Sequence, residues 1–121
     1  MKYADKIPYP FILDHLINID PIIKPMFGCY GIYSDGKLCL FLMNRERPLA
    51  RRKGNPMQKG VYIASTAADM STLSYVFEKA EFEMLKSGKV WIFVSETLPE
   101  FEDHTIRACE LISARDPRIG R

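Results

Sequence analysis

The chain has 121 residues, 47% of them apolar and 26% charged, which are proportions of a folded globular domain and not of a disordered chain. At that length one domain buries a core without disulfide or metal staples, so residues 1–121 are expected to form a single domain. Seventeen basic residues against 15 acidic leave a formal charge of +2, too small to imply nucleic-acid binding by itself, and no apolar run approaches the roughly 18 residues of a membrane span.

The opening residues, MKYADKIPYP, carry an acid and a proline where a signal peptide needs an apolar core, so a cytoplasmic location away from any membrane is expected. From about Pro10 to Ile19, Ile12, Leu13, Leu16 and Ile19 share one helical face, and Asp20-Pro21 stops this first helix. Two strands follow, from about Ile23 to Ser34 and from Lys37 to Asn44. Asp35-Gly36 between them suits both central positions of a type I′ turn and pins the register. With Ser34 opposite Lys37, the pairs are Tyr33/Leu38, Gly31/Leu40 and Cys29/Leu42 on one face, and Ile32/Cys39, Tyr30/Phe41 and Gly28/Met43 on the other. Neither face is polar. A half-buried antiparallel hairpin alternates apolar with polar residues, so this one requires a cover on its second side: another helix, a second subunit or a functional partner.

Arg47-Pro48 and Lys53-Gly54-Asn55-Pro56 mark a long polar connection without periodicity, followed by a third strand from Gly60 to Ser65. Met70, Leu73, Val76 and Phe77 have helical spacing within Ala67 to Phe77, with Thr66 or Asp69 as N-cap. Residues 79–86 read either as that helix continuing to Lys86, capped by Gly88, or as the first arm of a second hairpin. The hairpin is preferred, because pairing Lys86 with Lys89 sets Met84 against Trp91 and Phe82 against Phe93. A last helix runs from about Pro99, buries Phe101, Thr105, Ala108, Cys109 and Ile112, and ends by Pro117. The order α-β-β-β-α-β-β-α predicts an α+β fold, an antiparallel sheet with helices on one face. A homodimer would bury the other face.

Charge is unevenly distributed. Arg45, Arg47, Arg51, Arg52, Lys53 and Lys59 face only Glu46 in that stretch, whereas Glu78, Glu81, Glu83, Glu96, Glu100, Glu102 and Asp103 crowd the later part. The basic cluster is the candidate binding site, for acidic protein surfaces or for a nucleic-acid backbone, since guanidinium groups match carboxylate and phosphate oxygens. Tyr62 and Trp91 would serve as stacking platforms in the nucleic-acid reading, and as core residues otherwise. Gly28 and Gly31 mark a bulge or a close approach, or else flank a contact surface around Tyr30 and Tyr33. Glu81 and Glu83 share one strand face and are expected to face solvent.

For enzyme chemistry, the nucleophile candidates are Cys29, Cys39 and Cys109, and the only histidines are His15 and His104. Cys29 and Cys39 are neither opposite nor on one face in the expected register, and three cysteines cannot all pair, so reduced thiols are expected. His104 and Cys109 sit on different helix faces. No phosphate loop, Gly-x-Ser-x-Gly, His-Glu-x-x-His or Cys-x-x-Cys motif occurs, and no catalytic residue, metal or cofactor is assigned.

The run Met26 to Gly36, MFGCYGIYSDG, resembles the MFGGYGIY-type opening of the TfoX/Sxy N-terminal-domain family, the module named after bacterial competence regulators. The matching positions are Met26, Phe27, Gly28, Tyr30, Gly31, Tyr33 and Gly36, while Cys29 replaces the more usual second glycine. Lys59 to Ile63 falls where that family has its third strand, and Phe101 to Gly120 looks like the closing helix and tail of its stand-alone members. The resemblance implies a secretion-chaperone-like α+β fold without established enzymatic chemistry. The chain stops where longer regulators carry a separate C-terminal domain, so competence regulation itself is not expected to transfer. The expected function is a non-enzymatic interaction or regulatory domain, probing an unidentified protein partner and pairing as a homodimer. The alternatives are a direct nucleic-acid-binding regulator acting through residues 45–59, and a cysteine-dependent enzyme or redox sensor.

Overall fold

The computed structural model describes residues 2–26, 29–44 and 58–121. Six strands form one antiparallel sheet: β1 (Ile22–Met26), β2 (Cys29–Ser34), β3 (Lys37–Met43), β4 (Gly60–Thr66), β5 (Glu81–Met84) and β6 (Lys89–Ser95), in the spatial order β1-β2-β3-β4-β6-β5. The helices are α1 (Met70–Val76) and α2 (Phe101–Ser113), with 3₁₀ turns at Pro10–His15 and Ala67–Asp69. The fold is α+β. Ile12, Leu73, Phe77, Ala108, Cys109, Leu111 and Ile112 pack into one cluster with Ile32, Leu40, Leu42, Val61, Ile63, Val90, Ile92 and Val94 of the sheet. Among the described residues, the buried helical side chains join this cluster and none joins the one on the opposite side of the sheet, so the helices cover one face.

The Asp35-Gly36 turn forms as its chemistry dictates, with φ of 52° and 77°. Ser34 then pairs with Lys37 and Tyr33 with Leu38, but beyond them the register slips by one, giving Ile32↔Leu40, Gly31↔Phe41 and Tyr30↔Leu42. Cys39 is the inserted residue. A bulge places two consecutive side chains toward one side, and Cys39 and Leu40 both belong to the helix-side core. The expected pairs beyond Tyr33/Leu38 are thereby replaced.

The single strand expected from about Ile23 to Ser34 is instead two, β1 and β2, which pair from Ile22↔Tyr33 to Met26↔Cys29. The break puts Pro25, which has no N–H to donate, on an outermost strand where the loss is tolerated. It also folds Met26 over Gly31: a Cβ on Gly31 would lie 2.7 Å from the Met26 sulfur and 3.1 Å from Leu38.

The first helix is shorter than its periodicity suggests, a 3₁₀ turn of six residues. Its N-cap residue Tyr9 is left-handed and makes no side-chain cap, and Asn18 is left-handed at φ 61°, so an α-helix to Ile19 is neither started nor continued. Ile12 and Leu16 still reach the core.

The second hairpin is present as preferred, though shifted by one residue, with Phe82↔Ile92, Glu83↔Trp91 and Met84↔Val90. The cause is the turn, in which Leu85 N–H bonds the Lys89 carbonyl at 2.8 Å and Gly88 takes φ 84°, so four residues and not two separate the strands. Phe82 therefore packs on the helix side, and Glu81 and Glu83 stand beside Phe93 and Trp91 on the other. α2 begins two residues later than expected and ends at Ser113, where Arg115 turns left-handed at φ 56°.

Candidate interaction site

The sheet face away from the helices is aromatic. Alternation along β3, β4 and β6 sends Phe41, Met43, Tyr62, Ala64, Trp91 and Phe93 to this side, where Cys29 joins them and Met26, Leu38 and Leu85 pack around them. Tyr62 stacks on Phe93 across the β4–β6 ladder with ring centroids 4.6 Å apart, and meets Trp91 edge-on at 6.0 Å. Phe41 touches both, at 6.2 Å from Tyr62 and 6.3 Å from Trp91. Such pairs each add about 0.5–1.5 kcal/mol beyond area burial. The Cys29 thiol lies 3.0 Å from the Met43 sulfur, and the Tyr62 hydroxyl accepts the Gln58 N–H at 3.1 Å.

This face is already buried within one chain. Phe41, Tyr62, Trp91 and Phe93 are only 4–8% exposed, so the hydrophobic drive assigned to an open sheet face is satisfied without a second copy. The same burial removes Tyr62 and Trp91 as ready platforms for bases.

Part of the cover comes from residues 116–121. β3 and β4 pair only from Leu40↔Ile63 to Met43↔Gly60, and past the Cys39 bulge they diverge. The gap is filled from the chain's last described residues. Arg121 N–H donates to the Leu38 carbonyl and the Arg121 carbonyl accepts the Leu38 N–H, both at 3.1 Å. Gly120 N–H bonds the Ala64 carbonyl at 2.8 Å, and the buried Ser65 hydroxyl donates to the Arg118 carbonyl at 2.6 Å. Ile119 enters the helix-side core, while the Arg121 guanidinium lies 3.9 Å over the Trp91 ring. Gly120 is required here by its φ of 107° and by Lys37, whose Cβ would come within 3.1 Å of an added methyl. Asp116 and Arg118 lock the bend with hydrogen bonds at 3.0 and 2.8 Å between side chains, which hold the Asp116 carboxyl below the usual carboxylate range.

Of the basic cluster, Lys59 is exposed just before β4, where its carbonyl accepts the Glu96 N–H at 3.1 Å. Arg45, Arg47, Arg51, Arg52 and Lys53 lie outside the described residues, as do Phe27 and Gly28 of the motif. Tyr30 and Tyr33 do not form one contact surface. Tyr30 packs on the helix-side core and against Tyr3, whereas Tyr33 shares the aromatic side with Gly31 and Leu38 and carries Lys24 4.7 Å above its ring.

The thiols are poor candidates for nucleophiles. Cys29, Cys39 and Cys109 are all unpaired and buried. Burial pushes the Cys39 thiol up and the Cys109 thiol up to about 12, keeping both protonated at neutral pH. The His104 ring bonds the Glu78 carbonyl at 2.7 Å and stands edge-on to Phe77, a helix-to-loop tie. Tyr9 makes a further tie that sequence reasoning missed: its hydroxyl lies 2.6 Å from a Glu96 carboxylate oxygen and 3.1 Å from the Met43 carbonyl. Burial first, then this carboxylate, pushes the phenol well above its ordinary value. Among the acidic residues, Glu100 is held by Lys79 at 2.9 Å, which lowers its carboxyl. Among the described residues no helix is long and apolar enough to cross a membrane, and no cluster of three or more His, Cys, Asp or Glu is arranged to hold a metal.

Comparison with family models, with curated proteins and with solved structures finds no match to this chain.

Proposed function

We propose that the chain is a non-enzymatic interaction and regulatory domain, of the kind that the likeness of Met26 to Gly36 to the TfoX/Sxy N-terminal module implies, acting in the cytoplasm on a protein partner and pairing as a homodimer. The observation that supports it most is where large apolar side chains remain exposed. Four such side chains are exposed among the described residues: Tyr75 of α1 at 82%, Ile17 at 60% and, on the two outer strands of the sheet, Ile22 of β1 at 57% and Met84 of β5 at 56%. Outer strands are where another chain can add its backbone. Tyr62 and Trp91, the rings considered for stacking on bases, are buried instead, which favours a protein partner over a nucleic acid at that face.

The basic residues supply the recognition charge in this reading. Capturing partners from native lysate with wild-type protein and with the combined variant Arg51→Glu, Arg52→Glu, Lys53→Glu tests it, each in nuclease-treated and untreated halves. The expected result is a partner set that survives nuclease and is depleted at least about tenfold by charge reversal in a variant that retains its circular dichroism, since a few lost charge-assisted bonds exceed 1.4 kcal/mol. A set unchanged by the variant would reject the basic residues as the contact, and one abolished by nuclease would replace the protein partner with nucleic acid.

A further inference from the structure

The gap between β3 and β4 is a built slot for an extended peptide. It recognises its occupant mainly through main chain: both polar groups of Leu38, the Ala64 carbonyl and the buried Ser65 hydroxyl all bond residues 118–121. Two side-chain positions add selectivity, an apolar one sunk in the helix-side core at Ile119 and a cationic one over Trp91 at Arg121, with glycine required between them. An empty slot would leave these polar groups without their protein partners, so detachment is costly and replacement in kind is favoured.

We infer that this slot is an exchange site between two copies of the chain, in which residues 116–121 of one copy fill the β3–β4 gap of the other and the reverse. The proposal rests on the homodimer of the preceding reading and names its contact. A second copy brings an occupant with the same contacts, so exchange alters few bonds and is a low-cost route to a two-fold dimer. The hinge is the C-cap of α2, where left-handed Arg115 lets its own N–H bond the Ile112 carbonyl at 2.9 Å and the Asp116 N–H bond the Leu111 carbonyl at 3.0 Å. Ala114 and Arg115 are exposed, so water can take over these bonds on opening, and the Arg115–Asp35 ion pair at 3.3 Å joins two side chains more than half exposed. What opposes exchange is the loss of these cap bonds together with the effective concentration of the attached segment, on the order of 1 mM for a short linker, so the dimer should populate only as protein concentration approaches or exceeds that value.

Sedimentation velocity on the wild-type chain, from about 10 μM to about 1 mM, reads this directly. Each concentration is run alone, with excess synthetic peptide of residues 114–121, and with the same peptide carrying Gly120→Val. The expected result is a dimer fraction that rises with concentration and falls at least about twofold with the native peptide but not with the Gly120→Val peptide. A dimer indifferent to both peptides would overturn the exchange site while leaving the homodimer standing on another surface. A monomer throughout would overturn both.

Discussion

The two faces of the sheet are both dry, yet they are built differently. The helix side is aliphatic, with Ile32, Leu40, Leu42, Ile63 and Ile92 locked under α1, α2 and the Pro10–His15 turn. The opposite side is a lattice of four aromatic rings with two sulfur-bearing side chains, covered in part by the Arg121 guanidinium. An apolar face opposite the helices therefore does not by itself call for a second subunit. The distinction is between a side closed by regular helices, whose periodicity announces them, and one whose visible cover includes a six-residue segment held largely by backbone bonds. A paired truncation separates the two. Phe93→Ala should cost about 3–5 kcal/mol and Leu42→Ala about 2–5 kcal/mol, measured as urea midpoints with the slope held constant. A loss below about 1 kcal/mol for Phe93→Ala would show that the aromatic side is not packed as a core.

Alkaline pH tests the helix side from within. The Cys109 thiol has its pKa raised from 9.0 to about 12 by burial in α2 against the sheet. Below pH 9 the thiol is protonated in both folded and unfolded chains, so its contribution is fully present. As pH rises from 9 toward 12 the unfolded chain ionises first and stability falls. By pH 10, one unit above the unfolded pKa, the loss from this group is about 1.4 kcal/mol, since each pKa unit between the states is worth about that much. The difference between wild type and Cys109→Ala should accordingly change by about that amount between pH 8 and pH 10 in urea titrations. A difference independent of pH would mean that the thiol reaches water.

Legibility followed how local each cause is. The Asp35-Gly36 turn was readable because its left-handed φ values belong to two residue types, and α2 because Thr105, Ala108, Cys109 and Ile112, all buried, recur at helical spacing. The Cys39 bulge was not, because no periodicity of β3's own residues records it; it coincides with the point where β3 parts from β4 and residues 118–121 bond in between. β1 was hidden inside an apparent long strand, although Pro25 was a usable signal, since proline belongs on an outer strand. The slot itself was least visible. Its occupant is polar and short, and only Ile119-Gly120, a lone apolar residue beside a glycine, hinted that the tail returns to the core. The basic cluster was plain in composition, but five of its six residues lie outside the described part.

The contact between Arg121 and Trp91 is the smallest effect and the best placed to resolve the aromatic side, because Trp91 is the chain's single tryptophan. A guanidinium over an indole face is worth about 0.5–1 kcal/mol where water still reaches it, and more when desolvated. Arg121→Ala should therefore lower the urea midpoint by about that much and move Trp91 emission to longer wavelength as water replaces the guanidinium. Arg121→Lys should recover part of the stability but less of the emission, since a compact ammonium lacks the planar stack. Should Arg121→Ala leave both readings unchanged, the rings would be holding themselves, and residues 118–121 would owe their place to the bonds at Leu38, Ala64 and Ser65 and to Ile119 in the core. That outcome would also loosen the requirement for a cation in any segment that enters the slot, leaving Gly120 and Ile119 as its selective positions.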